Sequence, residues 1–274
     1  MPDDIKTMKL YSAVERINTE LEAQGLGDDV PLTVAQLTPY DQLHYFGTDA
    51  VDEAIAACGI DADARVLDIG SGFGGPARYL ADTTGAHVDA VELQADMNAA
   101  ASSLTRRCGL DDRVTHRQGD ILQTNLEPAA YQTAVSWLAL YHIPNRATLF
   151  PRIGAALRPG GMLFVEDLYC RAPLSAEEDE MMRTMLFSNT LPTQSDYVSE
   201  VATGGFTEIT FLDMTETWAG FTRDRRDAFR DGRDHYVARH GQATYEALDA
   251  FYDCIAGLLT TGHVGGVKLT ARRG

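Results

Sequence analysis

The stretch that decides the fold is Val66–Pro76, which reads VLDIGSGFGGP. An apolar segment typical of a buried strand runs into a glycine-rich turn, and the pattern of a helix follows. Glycines let the backbone approach a ligand closely, and unpaired N–H groups at the start of the helix point outward. The stretch therefore predicts a ligand-binding turn at the carboxyl end of a strand.

Outward from this turn, strands and helices alternate, which is typical of a parallel sheet with crossover helices. The predicted strands are Arg65–Ile69, His87–Leu93, Val114–Gln118, Thr133–Leu138 and Met162–Leu168, followed much later by Gly266–Ala271. The helices between them are predicted at Pro76–Thr83, Asp96–Cys108 and Arg146–Leu157. The last of these helices ends at the turn Arg158–Gly161, where proline and glycine stop it.

The flanking segments are predicted to cover one catalytic core rather than to form separate domains. Residues 1–60 form a helical N-terminal cover or lid, residues 61–171 the ligand-binding core, and residues 172–274 further covering helices with the last strands of the same sheet. In the first part, helices are expected at 8–25 and 49–58, with a loop between them. In the last part, we expect helices at 175–187, 195–202, 223–239 and 243–259 and a strand at 207–217.

The composition limits the partners. The 274 residues carry 23 basic and 40 acidic side chains, a net charge of −17, which disfavours nucleic acid and anionic membranes. Only three lysines occur (Lys6, Lys9 and Lys268), so a P-loop and an interior Schiff-base lysine are excluded. The acidic N-terminus lacks the pattern of a secretory signal, and the four dispersed cysteines indicate reduced thiols. We expect a cytoplasmic protein without a bound metal.

The glycine turn by itself fits two cofactor classes. Gly70, Gly72 and Gly75 satisfy the dinucleotide pattern G-x-G-x-x-G, and Glu92, at the end of the second strand, can accept ribose hydroxyls in either class. Three features disfavour a nicotinamide oxidoreductase. The turn begins only near residue 70, no Tyr-x-x-x-Lys pair exists, and Gly119–Ile121 follows the third strand, where an Asp can accept a hydrogen bond from an adenine amino group.

At this point the motifs resemble those of the class I S-adenosylmethionine-dependent methyltransferases in order and spacing. The resemblance implies a Rossmann-like α/β sheet, mostly parallel with an antiparallel last strand, and S-adenosylmethionine as the cofactor. It also implies that Asp68, Gly70 and Gly72 hold the amino-acid part of the cofactor, that Glu92 holds the ribose, and that Asp120 with Ile121 holds the adenine. Leu93 is a further candidate for cofactor binding, and Trp137 is a candidate for contact with the methionine portion of the cofactor.

A closer resemblance, to the sarcosine/dimethylglycine and phosphobase N-methyltransferases, covers roughly residues 42–274. It rests on Ser136–His142, where those enzymes also place a histidine, on Gln42–Gly47, and on Gly262–Lys268. In the phosphobase enzymes the stretch matching 187–191 carries basic and tyrosine residues that grip phosphate. Here that stretch begins with Phe187, Ser188 and Asn189, which favours an unphosphorylated acceptor.

His142 is the predicted catalytic residue, because it follows a core strand and can deprotonate or orient an amine. The aromatic and polar run Thr38–Gly47 is interpreted as a lid loop over the pocket, with Tyr45 as a second catalytic candidate. Arg171 is a candidate donor to an acceptor carboxylate, whereas Arg223–Asp234 is typical of a solvated helix face. The remaining acceptor-site candidates are Tyr40, Gln42, His44, Asn189 and His263.

The sequence thus predicts methyl transfer to the nitrogen of a small unphosphorylated amine or amino acid of the sarcosine or dimethylglycine kind. An O- or C-methyltransferase with the same cofactor site and a non-catalytic cofactor-binding subunit stay open as alternatives. The exact acceptor and the number of methyl groups are undetermined, and we expect a monomer or a homodimer.

Overall fold

The sheet positions every element of the site. In the computed structural model, which describes residues 14–274, seven strands form this sheet: β1 (Arg65–Ile69), β2 (His87–Glu92), β3 (Val114–Gln118), β4 (Tyr131–Trp137), β5 (Leu157–Cys170), β6 (Phe206–Asp213) and β7 (Val264–Arg273). Their spatial order is β3-β2-β1-β4-β5-β7-β6. Strands β1 to β5 are parallel, and β7 is antiparallel to both β5 and β6. The predicted fold class is confirmed.

The order of the strands reverses between β1 and β4. From β1 the chain moves outward to β2 and β3, then returns to the other side of β1 for β4 and β5. The crossover connections on the two sides of such a point lead in opposite directions, which leaves a crevice at the carboxyl ends of the strands.

Eleven helices occur in the described part of the chain, and none of them is long and apolar enough to cross a membrane. They are α1 (Val14–Ala23), α2 (Val34–Asp41), α3 (Thr48–Cys58), α4 (Gly75–Thr84), α5 (Ala95–Arg107), α6 (Arg146–Ala156), α7 (Ala176–Thr184), α8 (Gln194–Thr203), α9 (Thr215–Asp231), α10 (Arg233–His240) and α11 (Gln242–Thr261). Residues 8–13 of the helix predicted at 8–25 lie outside the described residues.

Both faces of the central strands are covered, which explains their nearly continuous apolar sequences. On one face, Leu67 and Ile69 of β1 pack in a cluster that includes Leu149 of α6. On the other face, Val66 packs in a cluster with Val51 of α3 and other side chains from α3 and α4. Burial on both sides thus fixes the position of the turn that follows β1.

The loop predicted between the helices at 8–25 and 49–58 is wrong over residues 34–41, which form α2, so the predicted lid at Thr38–Gly47 begins inside a helix. Thr33 and Gln36 cap this helix reciprocally, each side chain bonding the backbone N–H of the other residue. Val34 and Leu37 are buried, so packing holds the short helix even though Pro39 lies inside it. Capping and burial outweigh the cost of the proline here.

The boundaries predicted near β6, α9 and β5 also need correction. β6 ends at Asp213 rather than at residue 217, because the Asp213 carboxylate accepts a hydrogen bond from the N–H of Thr215 and helix α9 starts there. The helix predicted at 223–239 is two helices that meet at Gly232. The turn predicted at Arg158–Gly161 lies inside β5, where Gly160 has φ +75° and the register with β4 shifts.

A buried ion pair joins the N-terminal cover to the core. Arg78 of α4 donates to the Asp41 carboxylate at 2.8 Å, and the two side chains are 0% and 1% exposed. Arg78 also donates to the carbonyl of Phe73, in the glycine-rich turn, at 2.6 Å. Gly75 makes room for this contact, since a Cβ there would lie 2.4 Å from the carbonyl oxygen of Asp41.

We expect Arg78→Met to destabilise the protein by about 3–5 kcal/mol in urea unfolding, because the Asp41 charge would stay buried without its partner. Adding Asp41→Asn should restore much of that loss. The exposed pair Arg183–Glu180 provides the control, and Arg183→Ala should cost less than about 1 kcal/mol. A loss at Arg78 no larger than the loss at Arg183 would contradict the assigned role of the buried pair.

Candidate functional site

A cavity of about 540 Å³ opens at the carboxyl ends of the strands, on both sides of the β1–β4 reversal. This volume is within the usual range for small-molecule sites. The eight residues predicted to contact a cofactor all line it: Asp68, Gly70, Gly72, Glu92, Leu93, Asp120, Ile121 and Trp137. The structure therefore brings this whole predicted set together in one place.

The turn after β1 depends on glycine at two positions. Gly70 has φ +72° and Gly72 has φ +55°, a region that side chains with a Cβ rarely adopt. A Cβ on Gly70 would also lie only 2.3 Å from the Cβ of Ala139, in the segment after β4. The absence of a side chain at Gly70 is thus what lets the two segments approach each other.

The Glu92 carboxylate links the glycine turn to the end of β2. It accepts hydrogen bonds from the N–H of Gly72 at 2.9 Å and from the N–H of Gln94 at 2.8 Å. Burial raises the pKa of Glu92, and these N–H groups oppose that shift. Glu92 therefore stands at the cavity wall as a carboxylate held by backbone donors.

Four buried polar atoms around the cavity have no hydrogen-bond partner among the residues described: Asp68 Oδ2, Ser71 Oγ, Gln94 Oε1 and Trp137 Nε1. Buried polar groups in folded proteins are almost always paired, so such a set at one cavity indicates a polar ligand. Burial, and then the charge of Glu92, raises the pKa of Asp68 to about 7. A cationic ligand group beside Asp68 would relieve that cost.

Asp120 and Ile121 form the wall of the cavity beyond β3. The Asp120 carboxylate closes its own turn by accepting the N–H of Leu122 at 2.9 Å. Ile121 is buried in the core cluster that also holds Leu67 and Val91. The pair places a hydrogen-bond acceptor next to an apolar surface. This combination suits the amino group and the flat face of an adenine ring.

His142 lies in a 3₁₀ turn, Leu140–His142, directly after β4, and it lines the cavity. Its Nδ1 lies 3.0 Å from the carbonyl oxygen of Phe187, so Nδ1 carries the proton and Nε2 is the acceptor of the neutral ring. Burial lowers the pKa of His142 to about 4, although the bond to Phe187 favours the protonated form. The ring is therefore neutral at pH 7.

The turn that carries His142 is held from both sides. On the sheet side, the buried Asp167 accepts the N–H of Tyr141 at 3.2 Å and the hydroxyl of Tyr197 at 2.8 Å. On the other side, the Asn189 amide donates to the carbonyl of His142 at 2.6 Å. Asn189, a predicted acceptor-site residue, lines the cavity but already contacts the backbone there.

Four residues of the predicted lid line the cavity, namely Asp41, Leu43, His44 and Tyr45, and the last two bring aromatic rings to it. His44 lies 2.9 Å from the carbonyl oxygen of Gly47 and 5.5 Å, between ring centroids, from Trp137, and burial lowers its pKa to about 4. Tyr45 packs edge-on against Trp218 at 4.9 Å, and burial raises its pKa. Both side chains are neutral at pH 7.

Four predicted acceptor-site residues do not line the cavity that residues 14–274 form. The Tyr40 hydroxyl accepts from Gln24 at 2.7 Å, and the Gln42 amide donates to Asp41 at 3.1 Å. Arg171 pairs with Asp213 at 3.4 Å, and His263 lies 2.8 Å from Glu178. Each of the four is thus engaged with another side chain of the protein.

Arg225, which was not predicted as a site residue, lines the cavity from α9. Its guanidinium lies 4.7 Å above the ring of Tyr252 and donates to the hydroxyl of that residue at 3.3 Å. The interpretation of 223–234 as a solvated face is wrong at this position. A signal was present, because Trp218, Thr222 and Arg225 share one face of a helix and the first two are buried.

Residues 66–161 match the family model of a methyltransferase domain. The chain contains a methyltransferase domain with the class I fold. This match confirms the predicted resemblance to class I methyltransferases, which rests on motifs that form the cavity wall.

Known relatives of this methyltransferase domain include N-methyltransferases. The chain is 24% identical over 202 residues to phosphoethanolamine N-methyltransferase 1 of Zea mays, covering 74% of this chain and 40% of that protein. It is 27% identical over 193 residues to the glycine/sarcosine/dimethylglycine N-methyltransferase of Actinopolyspora halophila, covering 69% and 34%. The chain thus spans only 34–40% of the length of these curated relatives.

A solved structure with a similar fold is phosphoethanolamine N-methyltransferase 2 of Haemonchus contortus, in complex with phosphomonomethylethanolamine and S-adenosylhomocysteine. The TM-score is 0.79 at 22% identity, covering 94% of this chain and 60% of that chain. At this sequence identity, the comparison shows that the two proteins share a fold.

The raised pKa of Asp68 predicts a pH-dependent penalty on stability. Between its ordinary value of 3.8 and the folded value of about 7, the folded protein keeps a proton that the unfolded chain releases, so stability falls as the pH rises through this range. Asp68→Asn removes the penalty. Its melting temperature should match that of the parent protein at pH 4 and exceed it by about 10 °C at pH 8.

Asp111→Asn, at an exposed position, is the control and should track the parent protein at both pH values. Equal melting temperatures for Asp68→Asn and the parent protein at pH 8 would show that Asp68 is not strained by burial.

Proposed function

We propose that the protein transfers a methyl group from S-adenosylmethionine to the nitrogen of a small unphosphorylated amine. The observation that carries this proposal is the set of unpaired buried polar atoms around one cavity, beside a neutral histidine. Asp68 and the glycine turn would hold the amino-acid part of the cofactor. Glu92 would hold the ribose, and Asp120 with Ile121 the adenine.

The bound cofactor supplies a methyl group that is already activated by its positive sulfur. The work left to the chain is to align the acceptor nitrogen, exclude water and hold a proton where the amine carries one. The Nε2 atom of His142 is suited to accept a hydrogen bond from an amine N–H, because Nδ1 is occupied by the Phe187 carbonyl. With a pKa of about 4, His142 orients the amine rather than acting as a strong base.

The charges at the cavity support an acceptor without phosphate. Among its described lining residues, Arg225 alone is a permanent cation, whereas Asp68, Glu92 and Asp120 are acids. Ser188 and Asn189, in the stretch matching the phosphate-gripping segment, donate to the carbonyls of Thr190 and His142. An acceptor carboxylate would meet Arg225, which takes over the role that the sequence suggested for Arg171.

The cofactor assignment predicts binding of S-adenosylmethionine in calorimetry, and weaker binding after Glu92→Ala. Loss of a charge-assisted hydrogen bond should cost about 2 kcal/mol, or roughly 30-fold in Kd. Glu127→Ala is the control, because this exposed acid pairs with Arg65 outside the cavity. Unchanged affinity in Glu92→Ala, or tighter binding of NAD than of S-adenosylmethionine, would refute the assignment.

The acceptor assignment predicts turnover in a panel of amines, with the methylated atom identified by mass spectrometry and NMR. We expect N-methylation of unphosphorylated amines and little reaction with phosphoethanolamine or phenols. His142→Ala should lower kcat by about 10²-fold, because the amine loses its alignment, while the cofactor Kd stays the same. His87→Ala, at an exposed position, should be silent. Efficient methylation of phosphoethanolamine, or of oxygen or carbon, would overturn the assignment.

A further inference from the structure

One end of the cavity is walled by apolar side chains. We call this end the acceptor chamber and define it by Tyr45, Tyr141, Leu168, Leu186, Phe251 and Ile255. All six side chains are buried and belong to a single hydrophobic cluster. Val91 and Ile121, at the other end of the cavity, belong to a different cluster. The acceptor chamber is therefore a separate surface from the wall that would hold the nucleoside.

The acceptor chamber is assembled from elements that lie far apart in the sequence. Tyr45 comes from the segment after α2, Tyr141 from the 3₁₀ turn, Leu168 from the end of β5, and Leu186 from the segment after α7. Phe251 and Ile255 lie one turn apart on α11 and present one face of that helix. Interlocked packing of this kind gives the chamber fixed walls.

The chamber walls carry the hydroxyls of Tyr45 and Tyr141, and two further polar side chains of the cavity, His142 and Arg225, each make a bond within the protein. The Nδ1 atom of His142 is bonded to the Phe187 carbonyl, and Arg225 donates to Tyr252. A compact zwitterion such as sarcosine would lose its hydration against apolar walls and gain little apolar contact. An acceptor with a hydrocarbon body would instead gain affinity in proportion to the apolar surface that it buries.

We infer that the acceptor is an amine with an apolar body of several carbons, and that contact with the acceptor chamber sets its specificity. The inference rests on the proposed function, because it takes the polar end of the cavity to be the cofactor site. Within the unphosphorylated amines of the proposed function, it selects larger, apolar members in place of the compact amino acids of the sarcosine kind that the sequence predicted.

The first test is calorimetry on the protein loaded with S-adenosylhomocysteine. The ligands are the N-methyl derivatives of glycine (sarcosine itself), alanine, leucine and phenylalanine, which share the amine and the carboxylate and differ only in the side chain. Affinity should rise about fourfold per added carbon, or about 250-fold over the four carbons from sarcosine to N-methylleucine. The heat-capacity change on binding should become more negative along the series.

The second test compares Ile255→Ala with Leu258→Ala. Both side chains are buried on α11 in the same cluster, but only Ile255 lines the cavity. The preference for N-methylleucine over sarcosine should fall about tenfold in Ile255→Ala and stay unchanged in Leu258→Ala. Because the preference is a ratio within one preparation, partial unfolding of a variant does not alter it.

Equal affinity along the series, no binding of any member to the loaded protein, or equal losses in the two variants would overturn the inference and leave the cofactor assignment intact. Failure of S-adenosylhomocysteine to bind at all would appear in the loading step. That result would refute the proposed function, and the inference with it.

Discussion

The close approach of Gly70 to Ala139 is the constraint on which the site depends. These residues follow β1 and β4, the two strands between which the order of the sheet reverses. Because Gly70 has no side chain, the turn that carries the glycines and the turn that carries His142 lie against each other. The proposed cofactor end and the acceptor chamber are therefore parts of one cavity, and a single Cβ at position 70 would force them apart.

The buried acidic residues near the site differ in whether their carboxylates are paired. Arg78 and Asp41 form a pair that also ties the N-terminal cover to the glycine turn. Asp68, by contrast, is buried beside Glu92 with one oxygen unpaired among the described residues, and its pKa rises to about 7. Strain of this kind at a cavity is relieved when a ligand with a cationic group binds beside Asp68.

Burial also decides what the histidines can do. His44 and His142 both have a pKa near 4, so neither carries a charge at neutral pH. Two neutral rings beside Trp137 and Tyr141 make an environment that favours alignment and exclusion of water over proton transfer. Methyl transfer from an activated donor requires little more than this from the protein, which is why the proposed mechanism assigns His142 an orienting role.

The sequence by itself determined the strand–turn–helix at Val66–Pro76 and the cavity positions of Asp68, Glu92, Asp120 and His142. Asp68 and Glu92 lie at the ends of β1 and β2, and Asp120 and His142 lie in the turns that follow β3 and β4. The carboxyl ends of parallel strands meet at one edge of a sheet, so local pattern was enough.

Only the tertiary structure decided that Arg225, Phe251 and Ile255 line the cavity. It also decided that Arg171 and His263 are paired elsewhere, and that the predicted lid begins inside helix α2. The covering helices carry no motif, and which of their faces meets the cavity depends on how they pack against distant elements. That packing is a property of the whole core and cannot be obtained from any one segment.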